Sequence, residues 1–319
     1  MKYRTLCRTG LNVSEIGLGT WAFNSSVYGK VDKEDALTTI ETAKDQGINF
    51  FDTAPLYGDK NNDGIAESIL GEGLINCRGE MIISSKFGRK PTDGNRADFS
   101  AKSVRLSVEQ SLKRLKTDYL DILFFHSPFH NKEIDDDIWE ELLRLKEVGS
   151  IRFVGHSISM LDETEAMARE WAEEQKIDVI QVVYSLLFRQ STKLIDDLGD
   201  KNIGIVAREA LANGFLSGKI REDTVFDPGT LNARYSKEEI IARVQRVKDL
   251  SFLVRDPIES MPQAALRWVL DNSNISSSLT GAKTSGEVID CTKASTYGEF
   301  TADEHIKAKL NHYVDFNPA

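Results

Sequence analysis

Long apolar runs and cysteines are scarce in this chain of 319 residues. No stretch is long enough to span a membrane, and the first four residues lack the apolar centre of a signal peptide. The cysteines are three and far apart, so they indicate neither a disulfide framework nor a metal-ligand motif; they are Cys7, Cys77 and Cys291. These absences predict a cytoplasmic protein with no metal site.

Basic residues are outnumbered as well. The chain has 40 Lys and Arg against 50 Asp and Glu, a formal net charge of −10, and no dense basic block. Nucleic acids and anionic membrane surfaces attract basic surfaces, so neither is expected as a main partner. A small-molecule substrate is expected instead, and the sequence gives no indication of the oligomeric state.

Strand-like and helix-like segments alternate along the chain. Eight strands are predicted, at residues 15–19, 48–52, 81–86, 119–126, 151–155, 178–183, 203–207 and 275–280. Repeated strand–helix units imply parallel strands joined by right-handed crossovers. The predicted fold is therefore α/β, a (β/α)₈ TIM barrel; a doubly wound open sheet is the alternative.

The domain organisation and three segments complete this expectation. No linker or composition break divides the chain, so residues 1–319 are predicted to form one domain. Residues 3–14 are typical of a short N-terminal hairpin ahead of the barrel. Residues 88–99 and 211–235 are long for βα loops, and long loops in a compact domain are often functional. Both are expected over the carboxyl ends of the strands.

Polar residues stand at or just after the ends of three successive strands. Asp52, Lys86 and His126 end apolar runs, and Tyr57 follows Asp52 by five residues. Each alone has an ordinary structural explanation, such as a turn cap for Asp52 or a solvated position for Lys86. Together they are better explained by one shared pocket at the carboxyl ends of the strands, where barrel active sites lie.

On these four residues the chain resembles the aldo-keto reductases, NAD(P)H-dependent (β/α)₈-barrel enzymes. The resemblance runs from Thr5 to about Ser285, and it implies that Asp52, Tyr57, Lys86 and His126 are catalytic. Tyr57 would be the general acid and base, with His126 orienting the substrate oxygen and Asp52 pairing with Lys86. At ~4 Å and an effective dielectric of ~20, the lysine would favour the phenolate by roughly 4 kcal/mol. We therefore expect the pKa of Tyr57 to be lowered toward neutrality.

The resemblance also implies a nucleotide site. Gln181 and Ser157 would hold the nicotinamide carboxamide, although Ile158 replaces the usual Asn. Arg208 replaces the usual stacking Tyr; its guanidinium can stack on a ring, and its charge would disfavour the oxidised nicotinamide. The further expected contacts with the cofactor are Gly19, Thr20, Trp21, Asp52, Leu211, Leu216, Ser217, Lys219, Gly281, Lys283 and Thr284.

The nucleotide preference depends on the segment 281–292. Lys283 and the hydroxyls beside it suit a phosphate at a helix N-terminus, which favours NADP(H). Val288 stands where the family has a second basic or amide residue, and Cys291-Thr292 replaces its acidic–amide pair. NAD(H) therefore stays possible.

Other motifs carry less weight. Residues 17–22 fit a G-x-G-x-x-A dinucleotide pattern, but the residues that follow are a poor helix start, so a strand-to-loop turn is favoured. His156 has either a contact with substrate or cofactor, or a structural role.

The resemblance implies reversible reduction of an aldehyde or ketone, such as a sugar or sugar-derived carbonyl, with NADPH. One alternative is an NAD-dependent sugar dehydrogenase with the same site. The other is a cofactor-sensing regulatory subunit that turns over slowly.

Overall fold

Eight parallel strands close into a barrel in the computed structural model, which describes residues 1–24, 27, 29, 31–158 and 161–310. Each strand pairs with the next in the chain, and the last pairs with the first. The strands are a hairpin of β1 (Tyr3–Thr5) and β2 (Asn12–Ser14), followed by the barrel strands β3 (Ile16–Gly19), β4 (Phe50–Asp52), β5 (Ile82–Phe87), β6 (Leu120–His126), β7 (Ile151–Ser157), β8 (Val179–Val183), β9 (Gly204–Arg208) and β10 (Ile275–Thr280). The predicted (β/α)₈ barrel is confirmed, and the open sheet is wrong.

Helices surround the barrel. Their bounds are α1 Lys33–Asp45, α2 Ile65–Gly73, α3 Ala101–Leu115, α4 Ile138–Glu147, α5 Leu161–Glu173, α6 Thr192–Gly199, α7 Lys237–Asp249, α8 Met261–Leu270, α9 Ser285–Thr292 and α10 Ala302–Leu310. Hydroxyl side chains start several of them: Ser100 accepts a hydrogen bond from the amide of Ser103, and Thr284 accepts one from the amide of Glu287. The sequence predicted one last helix from about Ser285; the structure ends it at Thr292 and adds α10.

The hairpin closes one end of the barrel. Strands β1 and β2 pair antiparallel, as predicted for residues 3–14. Arg4 donates hydrogen bonds to the carbonyls of Leu270 and Ile275, at the amino-terminal side of β10. Leu6 is fully buried and packs in one apolar cluster with residues of the barrel interior such as Phe50 and Phe124. The opposite end, at the carboxyl ends of the strands, is left for the site.

Alternation along the strands decides which side chains enter the barrel. Ile82 belongs to the interior apolar cluster, whereas Ile83 packs in the outer core between strands and helices. Because side chains two residues apart share a face of a strand, Ser84 and Lys86 follow Ile82 inward. By the same alternation, His126 lies on the same inward face of β6 as Phe124. The last inward residue of each strand therefore reaches the upper end of the barrel.

The two long loops lie over that end, as expected. Arg89 and Asn95 of the first loop and many residues of the second line a single cavity above the strands. Gly88 opens the first loop with a φ of +96°, and a Cβ there would lie 2.0 Å from the ring of Phe99. A side chain at Gly88 would therefore displace the loop. Within the described ranges, no helix is long and apolar enough to cross a membrane.

Candidate active site

A buried ion pair stands at the base of the cavity. Lys86 Nζ lies 2.6 Å from Oδ2 of Asp52, and the two side chains are 1% and 4% exposed. Lys86 also donates a hydrogen bond to the carbonyl of Thr53. Burial alone would lower the pKa of Lys86, but the charge and hydrogen bond of Asp52, with a smaller contribution from Tyr57, outweigh it and raise this pKa. The ammonium is therefore held charged.

Tyr57 lies above this pair. Its loop folds back after β4, with the amide of Tyr57 donating to the carbonyl of Ala54. Lys86 Nζ is 4.9 Å from the centre of the Tyr57 ring, so the ammonium lies against the phenol. The imidazole of His126 meets the Tyr57 ring edge-on, with ring centres 6.0 Å apart. The structure thus brings together all four residues that the sequence singled out.

Burial dominates the ionisation of Tyr57. Removal from water raises the pKa of the phenol, the positive charge of Lys86 opposes this, and Asp52 adds to the rise; the result is a pKa above the ordinary value of 10.0. The expected lowering of the Tyr57 pKa toward neutrality is therefore wrong. The cost of burying a phenolate exceeds the attraction of one lysine, which is already paired with a carboxylate. At neutral pH Tyr57 is a protonated phenol.

His126 is neutral for a related reason. Burial lowers its pKa well below 6.5, and the nearby cations Lys86, Arg208 and Arg89 lower it further. Its Nδ1 is buried without a hydrogen-bond partner in the structure. A neutral imidazole carries one N–H, so His126 can donate a single hydrogen bond into the cavity.

Two further side chains complete the surroundings of Asp52. Ser84 donates a hydrogen bond of 2.8 Å to Oδ1 of Asp52, and Gln181 Nε2 donates one of 2.8 Å to the same oxygen. Ser157 donates to Oε1 of Gln181 at 3.1 Å. Sequence reasoning missed Ser84, although it lies two residues before Lys86 and therefore on the same face of β5. Gln181 and Ser157, predicted for the carboxamide, already bond to each other.

One cavity of about 1110 Å³ contains these groups and extends toward β10 and the second long loop. It is lined by these predicted site residues: Gly19, Trp21, Asp52, Tyr57, Lys86, His126, Ser157, Gln181, Arg208, Leu211, Ser217, Lys219, Gly281 and Lys283. The three others lie outside this lining. Thr20 is buried with its hydroxyl on the carbonyl of Asp52, Leu216 is buried in the core, and Thr284 caps α9.

Arg208 is not an isolated cation. Its Nη1 pairs with the carboxylate of Glu209, and its Nη2 donates to the carbonyl of Ile158 at 3.0 Å. Its Nε is buried without a hydrogen-bond partner. Because Glu209 balances much of the guanidinium charge, the expected bias against an oxidised nicotinamide is weakened.

At the start of α9, the cavity is lined by Glu287 rather than by Val288. The side chain of Val288 is fully buried in the core, where it packs the helix onto the barrel. Glu287 precedes it by one residue, on a different side of the helix, and lines the cavity with Asp290 and Cys291. The sequence-based alignment placed the second nucleotide-binding position on Val288, and the structure places a carboxylate beside it.

His156 belongs to the core. It is fully buried, its ring lies 4.8 Å from that of Trp171, and burial lowers its pKa to about 3. Its neighbour Ser157 points into the barrel, so parity along β7 sends His156 outward to α5. Among the described residues, no cluster of three or more His, Cys, Asp or Glu is placed to hold a metal ion.

Known proteins share this architecture along the whole chain. A sequence profile described as the Aldo/keto reductase family matches residues 15–309. The chain belongs to the aldo/keto reductase family. It is an oxidoreductase, and the family reduces carbonyl compounds with a nicotinamide cofactor.

Individual relatives are similar over almost their full lengths. The aldo-keto reductase YhdN of Bacillus subtilis is 30% identical, with 90% of this chain and 87% of the relative covered. The NADH-specific methylglyoxal reductase of Escherichia coli is 31% identical, with 88% and 90% covered. The holo form of aldo-keto reductase AKR11C1 from Bacillus halodurans superposes with a TM-score of 0.79 at 24% identity, over 98% of this chain and 97% of that one, and shows the fold.

Proposed function

We propose that this enzyme reduces a small aldehyde or ketone with a reduced nicotinamide cofactor, and that Tyr57 is the proton donor. The observation that supports this most directly is the position of the Tyr57 phenol. It is buried, its ring centre lies 4.9 Å from Nζ of Lys86, and it is edge-on to the neutral His126, in the cavity that Lys219 and Lys283 also line.

The residues of the cavity fit a dinucleotide. Gln181 and Ser157 offer amide and hydroxyl groups near the catalytic set, and backbone and side chains of residues 211–219 and 281–283 line the same space. The buried Nε of Arg208 and Nδ1 of His126 are polar atoms without protein partners. When bound, the cofactor supplies the hydride. The choice between NADPH and NADH depends on the charges around Lys283.

The protein's own groups handle the oxygen and the proton. Tyr57 and His126 donate hydrogen bonds to the substrate oxygen and so stabilise the negative charge that develops there. The proton of Tyr57 moves to that oxygen, and the phenolate left behind faces the Lys86 ammonium. Asp52 keeps that ammonium charged and fixed. Ser84 and Gln181 in turn hold Asp52.

The ionisation of the site favours reduction over oxidation. Because burial raises the pKa of Tyr57, the phenol is protonated at neutral pH, which is the form that donates a proton. The NAD-dependent sugar dehydrogenase needs the deprotonated form as its base, so it is the second candidate. A regulatory subunit with slow turnover has no need of the intact set of four residues.

The cavity wall suits a small, partly polar substrate. Aromatic and apolar side chains border the catalytic set, and Asn95 and Gln190 add amide groups; the apolar residues are Trp21, Leu56, Phe129 and Phe188. Amides can bond the hydroxyl or second carbonyl of a sugar-derived compound. The similarity to a methylglyoxal reductase supports the same class of short polar carbonyls.

The free state of Cys7, Cys77 and Cys291 supports a cytoplasmic location.

The test is a pair of measurements on the purified protein. Fluorescence titration with NADH and NADPH shows whether a nicotinamide nucleotide binds. Loss of nucleotide absorbance with methylglyoxal, glyceraldehyde and open-chain sugars shows turnover. Binding of at least one nucleotide and reduction of a short polar carbonyl are expected. Binding of neither nucleotide would overturn the proposal, and oxidation of sugars that is faster than any reduction would favour the dehydrogenase.

A further inference from the structure

The part of the cavity near β10 carries as much negative as positive charge. Lys219 and Lys283 line it together with Glu287 and Asp290, and these four residues form a charged wall. Asp290 accepts hydrogen bonds from the neutral groups of Ser260 and Gln263. A lysine at this position therefore does not indicate a site for a doubly charged anion by itself.

Glu287 occupies the position where an anion would bind. It stands in the first turn of α9, where the partial positive charge of a helix end favours a carboxylate. Its Oε2 accepts a hydrogen bond of 2.7 Å from the backbone amide of Lys283, and its Oε1 pairs with Nζ of Lys219. The protein thus supplies its own anion to the amide and to one of the two lysines.

The carboxylate is ionised at neutral pH. Burial works to raise the pKa of Glu287, but the hydrogen bonds from Lys219 and from the Lys283 amide, with the charges of both lysines, outweigh it and lower this pKa. The side chain is still 25% exposed and lines the cavity, so a ligand there can reach it. A carboxylate accepts hydrogen bonds from hydroxyl groups and repels a phosphate.

We propose that Glu287 makes the nucleotide site select NADH over NADPH. Its carboxylate accepts hydrogen bonds from the hydroxyls of the adenosine ribose and excludes the 2′-phosphate that distinguishes NADPH. An acidic side chain serves ribose hydroxyls in the same way in other dinucleotide folds. This inference rests on the proposed function, because it takes the charged wall as the adenosine end of the cofactor site. It replaces the preference for NADPH that Lys283 alone suggested.

Binding of nucleotide fragments tests this without any turnover. Calorimetric titration with ADP-ribose and with its 2′-phosphorylated form isolates the adenosine end from the nicotinamide. The wild-type protein is expected to bind ADP-ribose at least about tenfold more tightly. The same ratio is expected between NADH and NADPH by fluorescence. Tighter binding of the 2′-phosphorylated forms by the wild type would overturn the inference and leave the proposed function intact.

Variants assign the effect to one carboxylate. Glu287→Gln keeps the shape of the side chain and removes its charge, so the preference for ADP-ribose should fall at least about tenfold. Glu222→Gln is the matched control, because Glu222 also pairs with a lysine, Lys248, and lies outside the cavity lining. It should leave the ratio unchanged. An unchanged ratio in Glu287→Gln would overturn the inference.

A second variant gives an independent test if Glu287→Gln does not fold. Lys219→Met removes the cation beside Glu287 and leaves the carboxylate in place. The preference for ADP-ribose over its 2′-phosphorylated form should then increase, because the carboxylate is less well balanced. A decrease would show that the charge balance at Glu287 does not set this preference and would contradict the inference. Failure of all four nucleotides to bind the folded wild type would instead overturn the proposed function.

Discussion

Gln181 Nε2 donates a hydrogen bond of 2.8 Å to Oδ1 of Asp52, 129 residues away in the chain. The bond joins the side chain expected to hold the nicotinamide carboxamide to the carboxylate that fixes Lys86. Because Lys86 in turn lies against the ring of Tyr57, one buried network of contacts runs from Ser157 to the proton donor. A buried polar network with unsatisfied members is costly. Substitutions anywhere along this one should therefore alter the environment of Tyr57 and lower turnover.

Variants of the two neighbouring serines of β5 distinguish an effect on catalysis from an effect on stability. Ser84→Ala removes one of the donors to Asp52, and we expect kcat to fall several-fold with a loss of about 1 kcal/mol in the free energy of unfolding. Ser85→Ala is the control, because its hydroxyl bonds Glu67 on the outer face of the strand. It should cost similar stability and leave kcat unchanged. Equal kcat values in the two variants would show that Ser84 does not act on the site.

Removing one member of the buried ion pair should be worse than removing both. Lys86→Met leaves the Asp52 carboxylate buried without its cation, and the free energy of unfolding should fall by about 3–5 kcal/mol. In Asp52→Asn/Lys86→Met both charges are gone, so most of this loss should be recovered while turnover stays absent. Urea unfolding measures both. A double variant as unstable as the single one would contradict the account of this pair.

The raised pKa of Tyr57 and the lowered pKa of His126 predict the pH dependence. The donor is protonated below its pKa, so log kcat/KM for reduction should be flat from about pH 6.5 to about pH 9 and fall only at higher pH. Oxidation of the product alcohol needs the phenolate and should increase with pH over this range. His126 is neutral throughout, so no break is expected near pH 6.5. A break there that disappears in His126→Gln would contradict the assignment of a neutral imidazole.

The barrel and the position of its site were predictable from local patterns. Three successive strands carry a polar residue at or near the end of an apolar run, and strands covered on both faces have a recognisable composition. Parity along a strand predicts further positions. Counting by two from Lys86 finds Ser84, and counting from Ser157 shows that His156 faces the helices.

Properties that depend on three-dimensional surroundings were not predictable. The pKa of Tyr57 results from a balance between burial and one lysine, and the depth of burial has no local sequence signal. Val288 and Glu287 are adjacent in the chain, and only the docking of α9 on the barrel decides which of them faces the cavity. The contact between Lys219 and Glu287 spans 68 residues and depends on the path of the second long loop.

The assignment of Tyr57 as the proton donor is tested most directly by Tyr57→Phe, with binding and turnover measured on the same sample. Loss of the hydroxyl should lower kcat by about 10²- to 10⁴-fold, since it removes the general acid and leaves the aromatic ring in place. NADH affinity should stay within about threefold of wild type. Tyr184→Phe, a buried tyrosine stacked on Trp268 outside the cavity lining, controls for the loss of a buried hydroxyl. Turnover of Tyr57→Phe within about tenfold of wild type, with NADH still bound, would contradict the account.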